Sequence, residues 1–231
     1  MNNVIEYTNK GSREENQDYL SWSSLSDHSS IYVLADGMGG YNYGDVAAKI
    51  VAESIIEFSV QNLGKCTPVE LLKESLSYAN DCLMLKKMAL SVKQMGCVVV
   101  VLLIRGEDAY LTWLGDSRIY MYRDGLEVFR TTDHSIVNEL SKIKALSAED
   151  IERYSAIVTK SIMGVESLDA APIRKVKTEP NDVFILCSDG LHKEFSVSSV
   201  ANCPQDALGE LKRSALQAND NLSFIRVQVE S

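Results

Sequence analysis

The chain carries from residue 97 to residue 130 the stretch CVVVVLLIRGEDAYLTWLGDSRIYMYRDGLEVFR. Residues 97–104 form a valine-rich apolar run, and three shorter apolar segments follow with no room for a helix between them: 109–114, 119–122 and 126–130. The turn-forming sequences RGED and RDG separate the segments, as in hairpins. The stretch predicts an antiparallel meander.

The flanking sequence adds strands and helices to this meander. Apolar runs predict strands at residues 31–35, 183–187 and 222–229, and apolar residues at helical spacing predict a helix over 45–60. Thr67-Pro68-Val69-Glu70 has the spacing of a capping box with proline at the first helical position, so a second helix should begin there. A shorter helix is expected after Ser147 and another over 207–217. Grouped strands and paired helices favour an α+β fold.

The length of 231 residues suits a single domain, so one domain over residues 1–231 is predicted. Residues 142–175 have the least regular pattern. We interpret this region as a helical flap over the sheet, with boundaries at about 135–170.

The formal net charge of −9 argues against nucleic acid or an anionic membrane as a partner, since both require a basic surface. The five cysteines include no C-x-x-C pair, which indicates free, mostly buried thiols. No apolar run is long enough to span a membrane. A cytoplasmic monomer is therefore expected.

Two apolar runs end in the same way: one leads into Asp36-Gly37 and the other into Ser188-Asp189-Gly190. A buried strand holds the carboxylate that follows it in a fixed position, and glycine permits a sharp turn that exposes its carbonyl group. Carboxylate and carbonyl oxygens suit a hard cation. Either copy alone is more simply explained as an ordinary turn.

Three further aspartates also lie beside predicted strands: Asp18, Asp116 and Asp220. Clustered carboxylates repel one another unless a cation neutralises them. The five acids together therefore indicate a metal centre more strongly than any one of them does.

Six short motifs, taken in order, resemble those of the PP2C-type metal-dependent protein phosphatases, and Met38 resembles the bacterial branch. They extend over nearly the whole chain and are Arg13-x-x-Asn16-Gln17-Asp18, Asp36-Gly37-Met38-Gly39-Gly40, Gly115-Asp116-Ser117-Arg118, Asp133-His134-Ser135, Ser188-Asp189-Gly190-Leu191 and Asp220-Asn221. The resemblance implies a four-layer αββα sandwich, in which two central antiparallel sheets are flanked by helix pairs.

The resemblance also implies roles for individual residues. Ligands of a first metal ion would be Asp36, Asp189 and Asp220. Asp36 would bridge to a second ion, which also takes the Gly37 carbonyl oxygen and which Asp18 supports, partly through water. Asp116 matches a ligand of a third, weaker ion, and Arg13 matches the residue that grips the substrate phosphate.

The implied activity is hydrolysis of phosphoserine and phosphothreonine in proteins by a hydroxide that bridges two metal ions. Two ions lower the pKa of such a water, and the planar fork of arginine matches a phosphate group. An all-oxygen site suits Mn²⁺ or Mg²⁺. A serine/threonine kinase is the partner that the resemblance implies.

Three departures from the family pattern are present. Met38 stands where many eukaryotic members carry a histidine that protonates the leaving group, so a metal-bound water is the expected donor here. Cys97-Val98 replaces small hydroxyl residues, a change expected to alter core packing only. The segment before Ser161 is also unusual, which leaves the substrate preference open.

A Ser-His-Asp triad is disfavoured because there is no G-x-S-x-G elbow, and His134 is expected to be structural. Arg118 is expected to pair with a nearby carboxylate. A non-catalytic binding module of the same fold and a phosphatase of small metabolites remain open.

Overall fold

The computed structural model describes residues 2–26, 28–38, 43–203 and 208–230. Its strands are β1 (Asn3–Asn9), β2 (Asp18–Ser26), β3 (Ser29–Gly37), β4 (Cys97–Arg105), β5 (Asp108–Leu114), β6 (Arg118–Arg123), β7 (Leu126–Arg130), β8 (Ile173–Lys177), β9 (Val183–Cys187) and β10 (Leu222–Gln228). Its helices are α1 (Gly44–Asn62), α2 (Pro68–Leu90), α3 (Ile136–Ser141), α4 (Ala148–Tyr154), α5 (Asp189–Glu194), α6 (Val197–Ala201) and α7 (Leu208–Ala215).

The strands form two five-stranded antiparallel sheets. Sheet A has the order β1-β10-β9-β6-β7, and sheet B has the order β2-β3-β4-β5-β8. Side chains alternate along each strand, so one strand can serve two cores. In β4, Val99, Val101 and Leu103 face the helices, whereas Val100, Leu102 and Ile104 face sheet A.

Three apolar clusters hold four layers together. One joins α1 and α2 to sheet B, the second fills the space between the sheets, and the third joins sheet A to α5, α6 and α7. This arrangement confirms the predicted α+β sandwich. It also explains why the central strands read as continuous apolar runs, since both of their faces are buried.

The predicted meander is wrong in one respect. β4 and β5 pair in sheet B, but β6 and β7 pair in sheet A, so the chain crosses between sheets after Leu114. Gly115 makes this crossing with a φ of 117°, and a Cβ atom there would collide with the Val98 side chain. Apolar periodicity carries no information about which sheet a strand joins.

Three strands were not predicted, namely β1, β2 and β8. They lie at sheet edges, and their exposed faces carry polar residues that dilute the apolar signal. β8 pairs with β5, so the last residues of the irregular stretch 142–175 belong to a sheet strand, beyond the predicted flap boundary at about 170. α4 begins after Ser147 as predicted, and the predicted start of α7 at Ala207 lies outside the described residues.

All five cysteines are free, and Cys97 and Cys187 are buried. Within the described part of the chain, none of the helices has the length and apolar character needed to cross a bilayer.

The capping box of α2 gives a first testable prediction. Thr67 Oγ1 accepts a hydrogen bond from the Glu70 amide (3.3 Å), and Glu70 Oε2 accepts one from the Thr67 amide (2.9 Å). Thr67→Ala should therefore lower the free energy of unfolding by about 1 kcal/mol in a urea titration. Glu70→Gln keeps a side chain that can accept the reciprocal bond, so it should cost clearly less. Equal losses in both variants would contradict this account of the cap.

Candidate metal centre

The five aspartates singled out in the sequence lie at one end of the two sheets. Asp36 is near the end of β3, and Asp18 starts the neighbouring antiparallel strand β2. Asp116 follows β5, Asp189 follows β9, and Asp220 precedes β10. Because neighbouring strands in each sheet run in opposite directions, these ends and starts meet at one edge. Asp36, Asp116, Asp189 and Asp220 line one cleft of about 910 Å³ together with Gly37 and Arg13.

Asp18 and Asp36 stand directly opposite each other across β2 and β3. Like charges in this position are destabilising. Burial, reinforced by the neighbouring Asp18 charge, raises the pKa of Asp36 well above its usual range. Asp18 accepts a hydrogen bond from Ser188 Oγ through Oδ2 (2.9 Å), while its buried Oδ1 has no partner. Among the residues that the structure describes, neither carboxylate of the pair forms a salt bridge.

Glycines permit the close approach of the loops that carry the acids. A Cβ atom at Gly37 would collide with the Gly44 carbonyl oxygen, and one at Gly190 would collide with the Asn221 carbonyl oxygen. The Asp-Gly sequences thus bring backbone from separate segments against the end of each strand.

Asp220 is held in a network that also positions the loop before β2. Arg13 Nη2 donates to Asp220 Oδ2 (2.8 Å). Asn221 Nδ2 donates to the carbonyl oxygens of Lys10 (3.0 Å) and Glu15 (2.9 Å), and its Oδ1 accepts from the Gln17 amide (2.8 Å). Asn221 therefore fixes both ends of the loop that carries Arg13. The sequence motif contained Asn221, but its role as a clamp was not foreseen.

Asp116 and Asp189 lie in another part of the same cleft. Burial, with a further contribution from the Asp189 charge, raises the pKa of Asp116 to about 6. Lys193 Nζ donates to Asp189 Oδ2 (2.6 Å). Lys193 is not among the predicted site residues, although its spacing of four residues from Asp189 on a helix is typical of an ion pair.

The donor set fits hard divalent cations. As they lie, no three acidic, histidine or cysteine side chains of residues 2–26, 28–38, 43–203 and 208–230 are close enough to enclose one ion. Arg13 and Lys193 pair with two of the carboxylates. Asp18 Oδ1 nevertheless has no hydrogen-bond partner, and the charges of Asp18 and Asp189 add to burial in raising the pKa of Asp36. Carboxylate and carbonyl oxygens are the ligands that Mg²⁺ and Mn²⁺ prefer.

The pH dependence of stability follows from the Asp18 carboxyl group, whose pKa burial raises to about 7. In the unfolded chain its pKa is about 3.9, so between these values the folded state binds more protons and stability falls as the pH rises. With chelator present, Asp18 should therefore make the protein about 1 kcal/mol more stable at pH 6 than at pH 8, or roughly 2–4 °C in melting temperature.

Calorimetry measures the melting temperatures of the wild type and of Asp18→Asn across this pH range. The difference between them is the contribution of the Asp18 carboxyl group to the pH dependence, because asparagine does not titrate. The variant should show the weaker loss of stability with rising pH. Parallel profiles for the two proteins would contradict the assignment.

The remaining polar motif residues have structural partners. His134 Nδ1 accepts a hydrogen bond from the Gly115 amide (3.2 Å), and its own amide donates to the Gly115 carbonyl oxygen (2.9 Å). Arg118 forms a bidentate pair with Asp133, with both distances at 2.7 Å. The structural roles predicted for His134 and Arg118 are confirmed.

The wall of the cleft includes residues from two segments that depart from the family pattern. Val98 lines the cleft opposite Asp36, so the Cys97-Val98 departure is not confined to core packing. Residues 156–158, Ser161 and Met163 form part of the same wall. Met38 also lines the cleft, whereas Gly39 and Gly40 of its motif lie outside the described residues.

Comparisons with known proteins agree with this architecture. A family model described as protein phosphatase 2C matches residues 8–219. The protein phosphatase PhpP of Streptococcus pneumoniae is 30% identical over 200 residues, which cover 81% of this chain and 78% of that protein. The serine/threonine phosphatase stp of Listeria monocytogenes is 26% identical over 184 residues, covering 78% and 73%.

Solved structures share the whole fold. The serine/threonine phosphatase Stp1 from Staphylococcus aureus superposes with a TM-score of 0.86 at 23% identity, covering 100% of this chain and 96% of that one. The catalytic domain of the phosphatase PstP, solved in complex with two manganese ions, has a TM-score of 0.81 at 22% identity, covering 100% and 99%. At these identities the likeness establishes the fold alone.

Proposed function

The chain belongs to the protein phosphatase 2C family and is a metal-dependent protein serine/threonine phosphatase, and from this premise we propose how its own residues divide the work. The observation that carries the proposal is the convergence of four aspartates from both sheets in one cleft, with Asp18 directly opposite Asp36. Among the described residues that line the cleft, Arg13 and Lys193 are the two that carry a positive charge.

We assign Asp36, Asp189 and Asp220 as ligands of a first divalent ion. Asp36 and the Gly37 carbonyl oxygen would hold a second ion, and Asp18 would support it from the adjacent strand. The direct opposition of Asp18 and Asp36 supports this division, since a shared cation relieves their repulsion. When bound, the ions supply an activated water and Lewis-acid stabilisation of the phosphoryl oxygens. Mn²⁺ and Mg²⁺ are the candidates, and manganese occupies the related PstP domain.

Arg13 binds and orients the phosphoryl group of the substrate. Its side chain lines the cleft, is about half exposed and reaches from a loop that Asn221 clamps. A guanidinium group can contact two phosphate oxygens in a fixed geometry. Orientation by Arg13 therefore aligns phosphorus for in-line displacement of the serine or threonine oxygen.

The proton for the leaving oxygen comes from water in the cleft. Among the described residues that line the cleft there is no histidine, and the Met38 thioether cannot donate a proton. His192 is not the proton donor to the leaving oxygen, because its Nε2 donates to the Asp116 carbonyl oxygen (3.0 Å).

The flap at about 135–170 helps to choose the substrate. Residues 156–158, Ser161 and Met163 border the cleft beside the metal ligands, where the residues around a phosphorylated side chain would lie. We further propose that residues 1–231 act as one domain and as a monomer in the cytoplasm, opposing a serine/threonine kinase.

The test compares phosphothreonine peptides with sugar phosphates at matched concentrations, each with Mn²⁺, with Mg²⁺ and with chelator. The proposal expects metal-dependent release of phosphate and a higher kcat/KM for the peptides. Preference for the sugar phosphates would favour a metabolite phosphatase. Absence of turnover with either metal would favour a binding module of the same fold.

A further inference from the structure

A lysine ammonium group lies among the carboxylates of the cleft. Lys193 Nζ is 2.6 Å from Asp189 Oδ2 and 3.8 Å from Asp116 Oδ2. Asp189 and Asp116 are largely buried, with 20% and 14% of their side chains exposed. Among the described residues that line the cleft, Lys193 and Arg13 are the two cations, and they lie against different carboxylates.

The local fold places Lys193 in this corner. α5 begins at Asp189, so Lys193 lies one turn later on the same face of the helix. The preceding residue, His192, donates through Nε2 to the Asp116 carbonyl oxygen (3.0 Å). This bond ties the Asp116 loop to α5. Two consecutive side chains therefore bring both carboxylates within reach of one ammonium group.

The contact with Lys193 gives the two carboxylate oxygens of Asp189 different roles. Lys193 engages Oδ2, which leaves Oδ1 as the oxygen available to an ion shared with Asp36 and Asp220. Two facing carboxylates need positive charge between them, and here a side chain supplies it. A divalent ion placed between Asp116 and Asp189 would have to displace the ammonium group or lie against it.

We propose that Lys193 is a built-in cation that takes the place of a metal ion between Asp116 and Asp189, so that the cleft binds two divalent ions and no third. The inference rests on the proposed function. It makes Lys193 a positioning residue, which acts by orienting Asp189 and by neutralising Asp116. It also changes the expected role of Asp116 from metal ligand to partner of Lys193.

The experiment counts Mn²⁺ ions bound at saturation, by isothermal titration calorimetry and by the electron paramagnetic resonance signal of free Mn²⁺. The wild type should bind two ions, and Lys193→Met should bind three. Lys193→Arg keeps the charge and should bind two. Adding Asp116→Asn to Lys193→Met should return the count to two. Lys193→Gln repeats the test in a second neutral variant, in case the methionine variant does not fold.

Lys142→Met is the matched control, because Lys142, which follows α3, pairs with Glu139 (3.1 Å) at the exposed surface. It should bind two ions, as the wild type does. A third ion in the wild type, or equal counts in the wild type, Lys193→Met and Lys193→Gln, would overturn the inference. If the wild type binds at least two ions and hydrolyses phosphopeptide, either result leaves the proposed function intact. If the wild type shows neither metal binding nor turnover, both the inference about Lys193 and the proposed function are overturned.

Discussion

Asp36→Asn is expected to lower metal-dependent phosphopeptide hydrolysis by about 10³-fold, because it removes a carboxylate that would hold both ions. Metal ions contribute several kcal/mol to stabilisation of the transition state, and each 1.36 kcal/mol is a factor of ten in rate. The same change should raise the melting temperature in chelator, since Asp36 opposes Asp18 across the strand pair and burial raises the pKa of Asp36. Opposite effects on activity and stability distinguish a lost ligand from a misfolded chain.

Asp124→Asn is the control for this substitution. Asp124 lies in the exposed turn between β6 and β7 at a φ of 50°, a conformation that asparagine tolerates. Its activity should match that of the wild type. Retention of metal-dependent turnover by Asp36→Asn would contradict the assignment of Asp36 as the bridging ligand.

Arg13→Ala is expected to reduce kcat/KM for a phosphothreonine peptide by about 10- to 100-fold. Hydrogen bonds to charged groups contribute about 1.5–3 kcal/mol, which corresponds to this range. Mn²⁺ affinity should not fall, since Arg13 competes with metal for Asp220 and its removal frees that carboxylate. Steady-state kinetics and calorimetry measure the two effects separately.

Two further variants sharpen the test of Arg13. Arg13→Lys keeps the charge but loses the planar fork, so it should recover only part of the activity. Arg130→Ala removes an exposed arginine that lies 3.6 Å from Glu127, and it should leave kcat/KM unchanged. A weaker affinity for Mn²⁺ in Arg13→Ala would show that Arg13 supports the metal site rather than the substrate.

Much of the fold could be predicted because the central strands are buried on both faces. β3, β4 and β9 are apolar runs, and the ends of β3 and β9 placed Asp36 and Asp189 at one end of the sheets. The capping box at Thr67 located the start of α2. These signals are local, so a single sequence contains them in full.

The rest depended on contacts between distant segments. β1 and β2 are half-exposed edge strands. Their many polar residues weaken the alternation of apolar and polar side chains that predicts a strand. The crossing at Gly115 follows from the face-to-face packing of the sheets, which no local pattern encodes. The Asn221 clamp and the contact between Lys193 and Asp116 form only when segments separated in sequence meet at the cleft.

The most direct test of the central claim is an anomalous difference map from crystals soaked in Mn²⁺, recorded at the manganese edge. We expect two peaks at the cleft, one among Asp36, Asp189 and Asp220 and one beside Asp36 and the Gly37 carbonyl oxygen. The absence of peaks at these carboxylates at saturating Mn²⁺, in crystals of a protein that is active in solution, would contradict the account.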